Sequence, residues 1–346
     1  KAGEDRVTED SHAIVDINDP ALKERLGTDL ENALAEVDLI KNAMPAFDRE
    51  AFLAGRQSPV FFGSAINNFG VREILNTLVE LAPSPGSRKA LQREVSPAEN
   101  KFSAVVFKIQ ANMDPAHRDR VAFLRICSGH FQRGMKLKIC RNGKEVRTNN
   151  ALSFLSQRRD ILDEAFPGDI IGLPNHGLLR LGDTLTEGEQ LQFTGLPFFA
   201  PEIFRMVESA DPLRSKQLRT GLMQLGEEGA IQVFRPMTGG TMLLGAFGQL
   251  QFEVVSHRLQ TEYGAEVRLL PARYNLARWV SSDDPVALKK FIQENIHRMA
   301  EDVVGASVFL ASHKSELDVA QQRWESIQFH ALREHAGLIY QSDLAG

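Results

Sequence analysis

Between Pro83 and Pro97 the chain reads PSPGSRKALQREVSP, and the hydrophobic pattern follows a different period on each side of it. Before it, Leu22, Leu26, Leu30, Leu34, Val37 and Ile40 recur at the spacing of one helix face. After it, KFSAVVFKIQ, RVAFLRICSG and MKLKIC are short, β-branched, alternating runs, and RNGKE supplies a hairpin turn. ALSFLS, DIIGLP and GDTLTEG continue the series at the interval of an antiparallel barrel or sandwich. A change of period across a Pro-, Ser- and charge-rich stretch predicts a linker over residues 84–98, with separately packed parts on either side.

The period changes again at Pro197. Ile203–Val207 reads as a strand, and Pro212–Gly229 as a helix with Leu218, Leu222 and Leu225 inward. Strands Ile231–Phe234 and Thr241–Ala246 flank the turn PMTGG. A second helix, Gln249–Tyr263, carries the apolar stripe Leu250, Val254 and Leu259, and a strand region covers Val267–Val280. The order βαββαβ is that of a split-βαβ, ferredoxin-like sandwich. Helices over Pro285–Glu301 and Ser315–Trp324, with strands near Val308–Ala311 and Ile327–His330, extend it.

On the N-terminal side, Asp19 and Pro20 form a helix start and Met44-Pro45 a stop. A short helix is expected over Asp48–Ala54. In SPVFFGSAINNFGVREILNTLVELAPSP, Val60-Phe61-Phe62 is apolar on both faces, as in a strand covered by helices, and Val71, Ile74, Leu75 and Leu78 mark a helix. A parallel strand cannot stand alone, yet no partner run precedes residue 58 or follows residue 81. Residues 1–83 therefore read as the tail of an α/β domain. An opening KAGEDRVTED without Met fits a processed chain or a piece of a longer one. The expected divisions are 1–83, the linker 84–98, a β-barrel over 99–195 and an α/β sandwich over 196–346.

The net charge of −5 over 346 residues excludes a chain that is basic overall, so any nucleic-acid contact must come from a local patch. No apolar run approaches the roughly 18 residues of a membrane span. Cys127 and Cys140 have neither disulfide-framework nor metal-ligand spacing, which fits a reducing, cytoplasmic setting.

The runs VFKIQANMDPAHRDRVAFLRICSG, PGDIIGLPNHG, FTGLPFFAPEIFR, LGEEGAIQVFRP and QFHALREH resemble the bacterial peptide chain release factor 3 family of translational GTPases, from about residue 20 to residue 335. That resemblance implies a P-loop GTPase remnant, a translation-factor barrel and an α/β domain. It also implies a monomer that binds the ribosome, through ribosomal RNA and small-subunit protein, and promotes dissociation of class I release factors. GTP or GDP with magnesium would serve the full-length protein. Competing readings are a piece of an elongation factor G relative and a nucleotide-independent RNA-binding module. A metabolic enzyme lacks any catalytic constellation here.

Within the resemblance, Ser64-Ala65 in FFGSAINN matches the guanine-contact motif, whose backbone N–H groups would read the base. Taken alone, GSA is a small-residue turn. The phosphate loop G-x-x-x-x-G-K-[ST] is absent, Asn100-Lys101 is not followed by the base-reading aspartate, and no D-x-x-G run sits in a plausible place. This chain alone is therefore expected to be neither a GTPase nor a holder of cofactor or metal.

Arg118 and Arg120 alternate, which would direct both to one side and Asp119 to the other. Arg133, Lys136, Arg158 and Arg159 are candidates for the same face. Three readings stand: ion pairs within the barrel, contact with the GTPase domain, or phosphate contact with ribosomal RNA. His117, His130, His330 and His335 lack metal-site spacing and read as structural or solvated, and GEEG at 226–229 as a charged turn. FTGLPFFAP, Phe193–Pro201, is either a flexible joint or a fixed turn with Phe198 and Phe199 buried between domains; the aromatics favour the fixed turn.

Overall fold

The computed structural model describes residues 20–66, 68–111, 120–155 and 158–335. The chain divides into two compact units, Lys1–Ser84 and Pro85–Gly346.

In the first unit, helices α1 (Pro20–Leu26) and α2 (Thr28–Ala43) are separated by Gly27 at φ 53°, so the single helix expected from the leucine spacing is broken. Of that stripe only Leu30 is buried, and Leu26 and Ile40 are exposed. Helix α3 (Arg49–Leu53) starts where the Asp48 carboxylate accepts the Ala51 N–H at 2.8 Å. The strand expected at Val60–Phe62 does not form: Val60 is 76% and Phe62 85% exposed. A strand needs neighbours to take its N–H and C=O groups, and among the described residues this segment has no ladder. Helix α4 (Val71–Leu81) follows, with Ile74, Leu75 and Leu78 turned to solvent.

The second unit begins with an antiparallel eight-stranded sheet. Its strands are β1 (Ser103–Ala111), β2 (Arg120–Ser128), β3 (Lys136–Ile139), β4 (Glu145–Arg147), β5 (Leu152–Leu155), β6 (Arg158–Ile161), β7 (Ile170–Pro174) and β8 (Thr184–Thr186). They lie in the order β4-β3-β8-β1-β2-β7-β5-β6. Alternation sends Ala104, Val106, Ala122, Leu124, Ile126, Leu137, Ile139, Ile171 and Leu185 into one core, around which the sheet curls.

The stretch read as a linker is largely built into this body. Arg88–Lys89 pairs with Glu94–Val95, Ala90 bridges Phe193, and Val95 is fully buried against Val105, Cys127, Leu191 and Phe193. Arg93 grips Glu99 and Glu189, each at 2.8 Å. The abundance of Pro, Ser and charge hid one apolar anchor, Val95.

A second eight-stranded sheet follows. It is built from β10 (Ile203–Ser209), β11 (Gln232–Pro236), β12 (Leu243–Ala246), β13 (Val267–Pro271), β14 (Leu276–Ser281), β15 (Met299–Glu301), β16 (Ser307–Ala311) and β17 (Gln328–His330). The order is β13-β10-β12-β11-β15-β16-β14-β17, and every pairing is antiparallel. Its first four strands, with α5 (Ser215–Glu227) and α6 (Gln249–Tyr263), run β10-α5-β11-β12-α6-β13. The expected strand region 267–280 splits into β13 and β14, at separate places in the sheet.

Asp284 caps α7 (Pro285–Glu294), which stops at Asn295, short of the expected Glu301; α8 is Lys314–Arg323. Val233 and Leu244 pack with α5 and α6 on one face, while Phe234 and Leu243 face the other way, toward Trp279 and Phe198. In α6 the buried residues are Phe252, Val255 and Leu259. Leu250 and Val254, expected on the apolar stripe, are exposed, because they lie off the arc that Phe252 and Val255 define.

Candidate functional site

Ser64 sits in a tight turn rather than at the end of a strand. Its N–H donates to the Phe69 carbonyl at 2.9 Å and its own carbonyl accepts the Phe69 N–H at 3.0 Å. Gly70 closes the turn at φ +70°, where a Cβ would stand 2.4 Å from the Phe62 carbonyl oxygen. The Ser64 N–H is thus already spent within the turn, and Ala65 is exposed beside it. Among the described residues, no cluster of His, Cys, Asp or Glu could hold a metal ion.

The cationic candidates separate. His117, Arg118 and Asp119 lie outside the described residues. Arg120, first in β2, is largely buried, and its two terminal nitrogens donate to Glu227 at 3.1 and 3.2 Å. Glu227 ends α5, so the contact joins the β sheet to the α/β part, a partner that none of the three readings named. Arg133 faces Asp163 at 3.2 Å, both well exposed. Arg158 and Arg159 lie in β6, at the end of the sheet order away from β3 and Lys136.

Lys136 is exposed and stands directly opposite Arg147 in the β3–β4 hairpin, with Lys138 opposite Glu145. Like charges in cross-strand register destabilise a sheet. Among the described residues neither Lys136 nor Arg147 has a carboxylate partner. The row is therefore a ready electrostatic contact for an anion from outside.

The joint between the two sheets is fixed. Strand β9 (Pro197–Phe199) pairs with β18 (Leu332–Glu334), and the buried Glu334 carboxylate accepts the N–H groups of Gly195 and Leu196 at 3.0–3.2 Å. Phe198 is buried as the fixed turn requires, whereas Phe199, expected with it, is 53% exposed because adjacent strand residues point to opposite faces.

Beneath Phe198 the Arg333 guanidinium, 2% exposed, lies 4.3 Å from that ring and 5.3 Å from Trp279. It pairs at 3.0 Å with Asp302, whose carboxylate also accepts from Trp279 Nε1, Val304 N and Ala306 N. Burial, then the neighbouring Arg333, hold the His335 imidazole down at about 4. Burial raises the Glu228 carboxyl above its ordinary range, opposed by Arg258 at 3.0 Å. Neither the Asp302–Arg333 pair nor the Glu228–Arg258 pair was visible in the sequence. No spacing links residues so far apart in the chain.

A family model described as the class II release factor RF3, C-terminal domain, matches residues 193–321, and one described as elongation factor G domain 2 matches residues 101–188. Peptide chain release factor 3 of Nitrosomonas europaea is 65% identical over 343 residues, covering 99% of this chain and 64% of that protein. The same-named protein of Bordetella pertussis is 62% identical over 341 residues, covering 98% of this chain and 64% of its own length. The chain therefore spans somewhat under two thirds of these relatives. The crystal structure of ttk003000868 from Thermus thermophilus superposes with a TM-score of 0.53 at 23% identity, covering 77% of this chain and 41% of that one, a likeness of fold. Over nearly its whole length, the chain is similar to the peptide chain release factor 3 proteins of these bacteria.

Proposed function

We propose that this chain supplies the ribosome-contacting and relay parts of a translational GTPase of termination, one that promotes GTP-dependent departure of class I release factors. The observation that carries this reading is the 65% identity, across 99% of the chain, to a protein named peptide chain release factor 3. In this reading residues 1–83 are the end of a GTPase domain, 99–195 the translation-factor barrel and 196–346 the α/β sandwich. The protein works in the cytoplasm as a monomer. Ser64 and Ala65 keep the place of the guanine-contact motif, and reading a base would require Ser64 to exchange its Phe69 partner for the nucleotide. The catalytic power of the full-length protein resides in parts that supply the phosphate loop and magnesium ligand.

On this chain the ribosomal RNA contact is the β3–β4 hairpin, because the uncompensated Lys136–Arg147 pair gains from phosphate what it lacks within the fold. Co-sedimentation with ribosomes across a salt series tests this. The chain is expected to pellet at low salt and to be released as salt rises, with a Lys136→Ala/Arg147→Ala variant released at lower salt. Equal release of both proteins would remove the hairpin from the interface.

A further inference from the structure

A cavity of about 210 Å3 opens on the outer side of the curled sheet, and its lining includes Arg88, Phe107, Arg125, Ile170, Phe193 and Gly195. Its floor is rigid. Val105, Arg125 and Ile170 are in register across β1, β2 and β7, so their side chains share one face. Phe107, two residues beyond Val105 on β1, joins them in the lining, beside an irregularity of the β1–β2 ladder between Val106 and Lys108. Phe193 is held by its bridge to Ala90, and Gly195 by the Glu334 carboxylate.

The two arginines decide what such a cavity would hold. Both side chains line the same cavity. Neither has an ion pair or side-chain hydrogen bond among the described residues, and no carboxylate lines the cavity. Cys127 cannot serve as counter-anion, because burial pushes its thiol up to about 11 and keeps it neutral. Arg125 is half-buried and Arg88 exposed, whereas elsewhere on this body the buried Arg333 is paired with Asp302 and the half-buried Arg258 with Glu228.

We propose that this cavity binds a carboxylate carried on an aromatic or branched apolar body of about amino-acid size. The charge meets Arg88 and Arg125, and the body packs between Phe107, Ile170 and Phe193. The space is smaller than the roughly 300 Å3 and more of a typical drug-sized site, which limits the occupant to one such group. A free small acid and the C-terminal residue of a peptide share this chemistry.

Calorimetric titration of the chain with N-acetyl-phenylalanine, its carboxamide, inorganic phosphate and a tetrapeptide ending in phenylalanine tests the site. The free acid is expected to bind at least about tenfold more tightly than the amide and than phosphate. Arg88→Gln and Arg125→Gln are each expected to weaken it by about tenfold, with melting curves showing both variants folded. Arg88 lies on a two-residue exposed strand, so its variant keeps the test valid if Arg125→Gln fails to fold. Tighter binding of the tetrapeptide would identify a peptide C-terminus as the occupant, and weaker binding a free acid. Equal binding of acid and amide, phosphate binding as tightly as the acid, or no binding by any of the four would each overturn the proposal.

Discussion

Arg120, the first residue of a strand in the curled sheet, donates both terminal guanidinium nitrogens to one carboxylate oxygen of Glu227, the last residue of α5 in the α/β part. The pair spans two cores that are otherwise separately built. It is partly buried, the arginine side chain 13% and the glutamate 38% exposed, which places it between the surface and interior regimes. A double-mutant cycle of Arg120→Ala and Glu227→Ala is expected to give a coupling of about 1 kcal/mol in urea unfolding. Strict additivity would show that the two side chains do not act together in solution.

Asp302→Asn is expected to be among the most destabilising single changes in the α/β part. It leaves Arg333 buried beneath Phe198 and Trp279 without its counter-charge, at a cost of about 3–5 kcal/mol. A loss under 1 kcal/mol by urea titration would mean that the aromatic rings alone hold the guanidinium.

His335 makes stability depend on pH in a defined direction. Its folded-state value, about 4, lies below the ordinary 6.5, so between those limits the unfolded chain takes a proton that the folded chain refuses. Its contribution is complete above pH 6.5 and is lost as pH falls toward 4, at up to about 1.4 kcal/mol per pH unit. Glu228, raised by burial, works in the opposite sense, so the comparison must be between the wild-type chain and His335→Gln. The wild-type melting temperature is expected to fall more than that of the variant between pH 7 and pH 5. Parallel curves would refute the assignment.

Arg147→Glu separates folding from function. Facing Lys136 with an acid completes the cross-strand pair and is expected to stabilise the hairpin by about 0.2–1 kcal/mol. Ribosome co-sedimentation of the same variant is expected to weaken and to become less sensitive to salt. A variant that is stabilised and still pellets as tightly as the wild type would mean that the hairpin is not the RNA contact.

Much of the fold was legible because local chemistry is repeated in the chain. Asp284-Pro285 starts α7, Gly264 ends α6 at φ 63°, and Leu218, Leu222 and Leu225 are the buried face of α5. Legibility failed where the deciding partner is remote or missing from view. Val60–Phe62 has strand composition but finds no ladder among the described residues, and Leu250 and Val254 look like a core stripe until the sheet selects Phe252 and Val255 instead. The candidate site shows the same limit. The charge at Arg120 was plain, but its partner Glu227 lies 107 residues away, beyond any periodic signal. Arg88 and Arg125 carry no signal in the sequence, because each is ordinary until β2 and the Arg88–Val95 segment bring them to one cavity.

Val95 sets the terms on which the β body can be excised. A fragment begun at residue 99, where composition changes, would strip the cover from Val105, Cys127, Leu191 and Phe193 and remove Arg93 from its grip on Glu99 and Glu189. Expressed that way, it would present a greasy flank and invite aggregation. A fragment begun at Pro85, the edge of the compact unit, carries its own cover. By the same reasoning a protease searching for an open peptide bond should spare the stretch from Arg88 to Val95, despite its prolines, serines and charges.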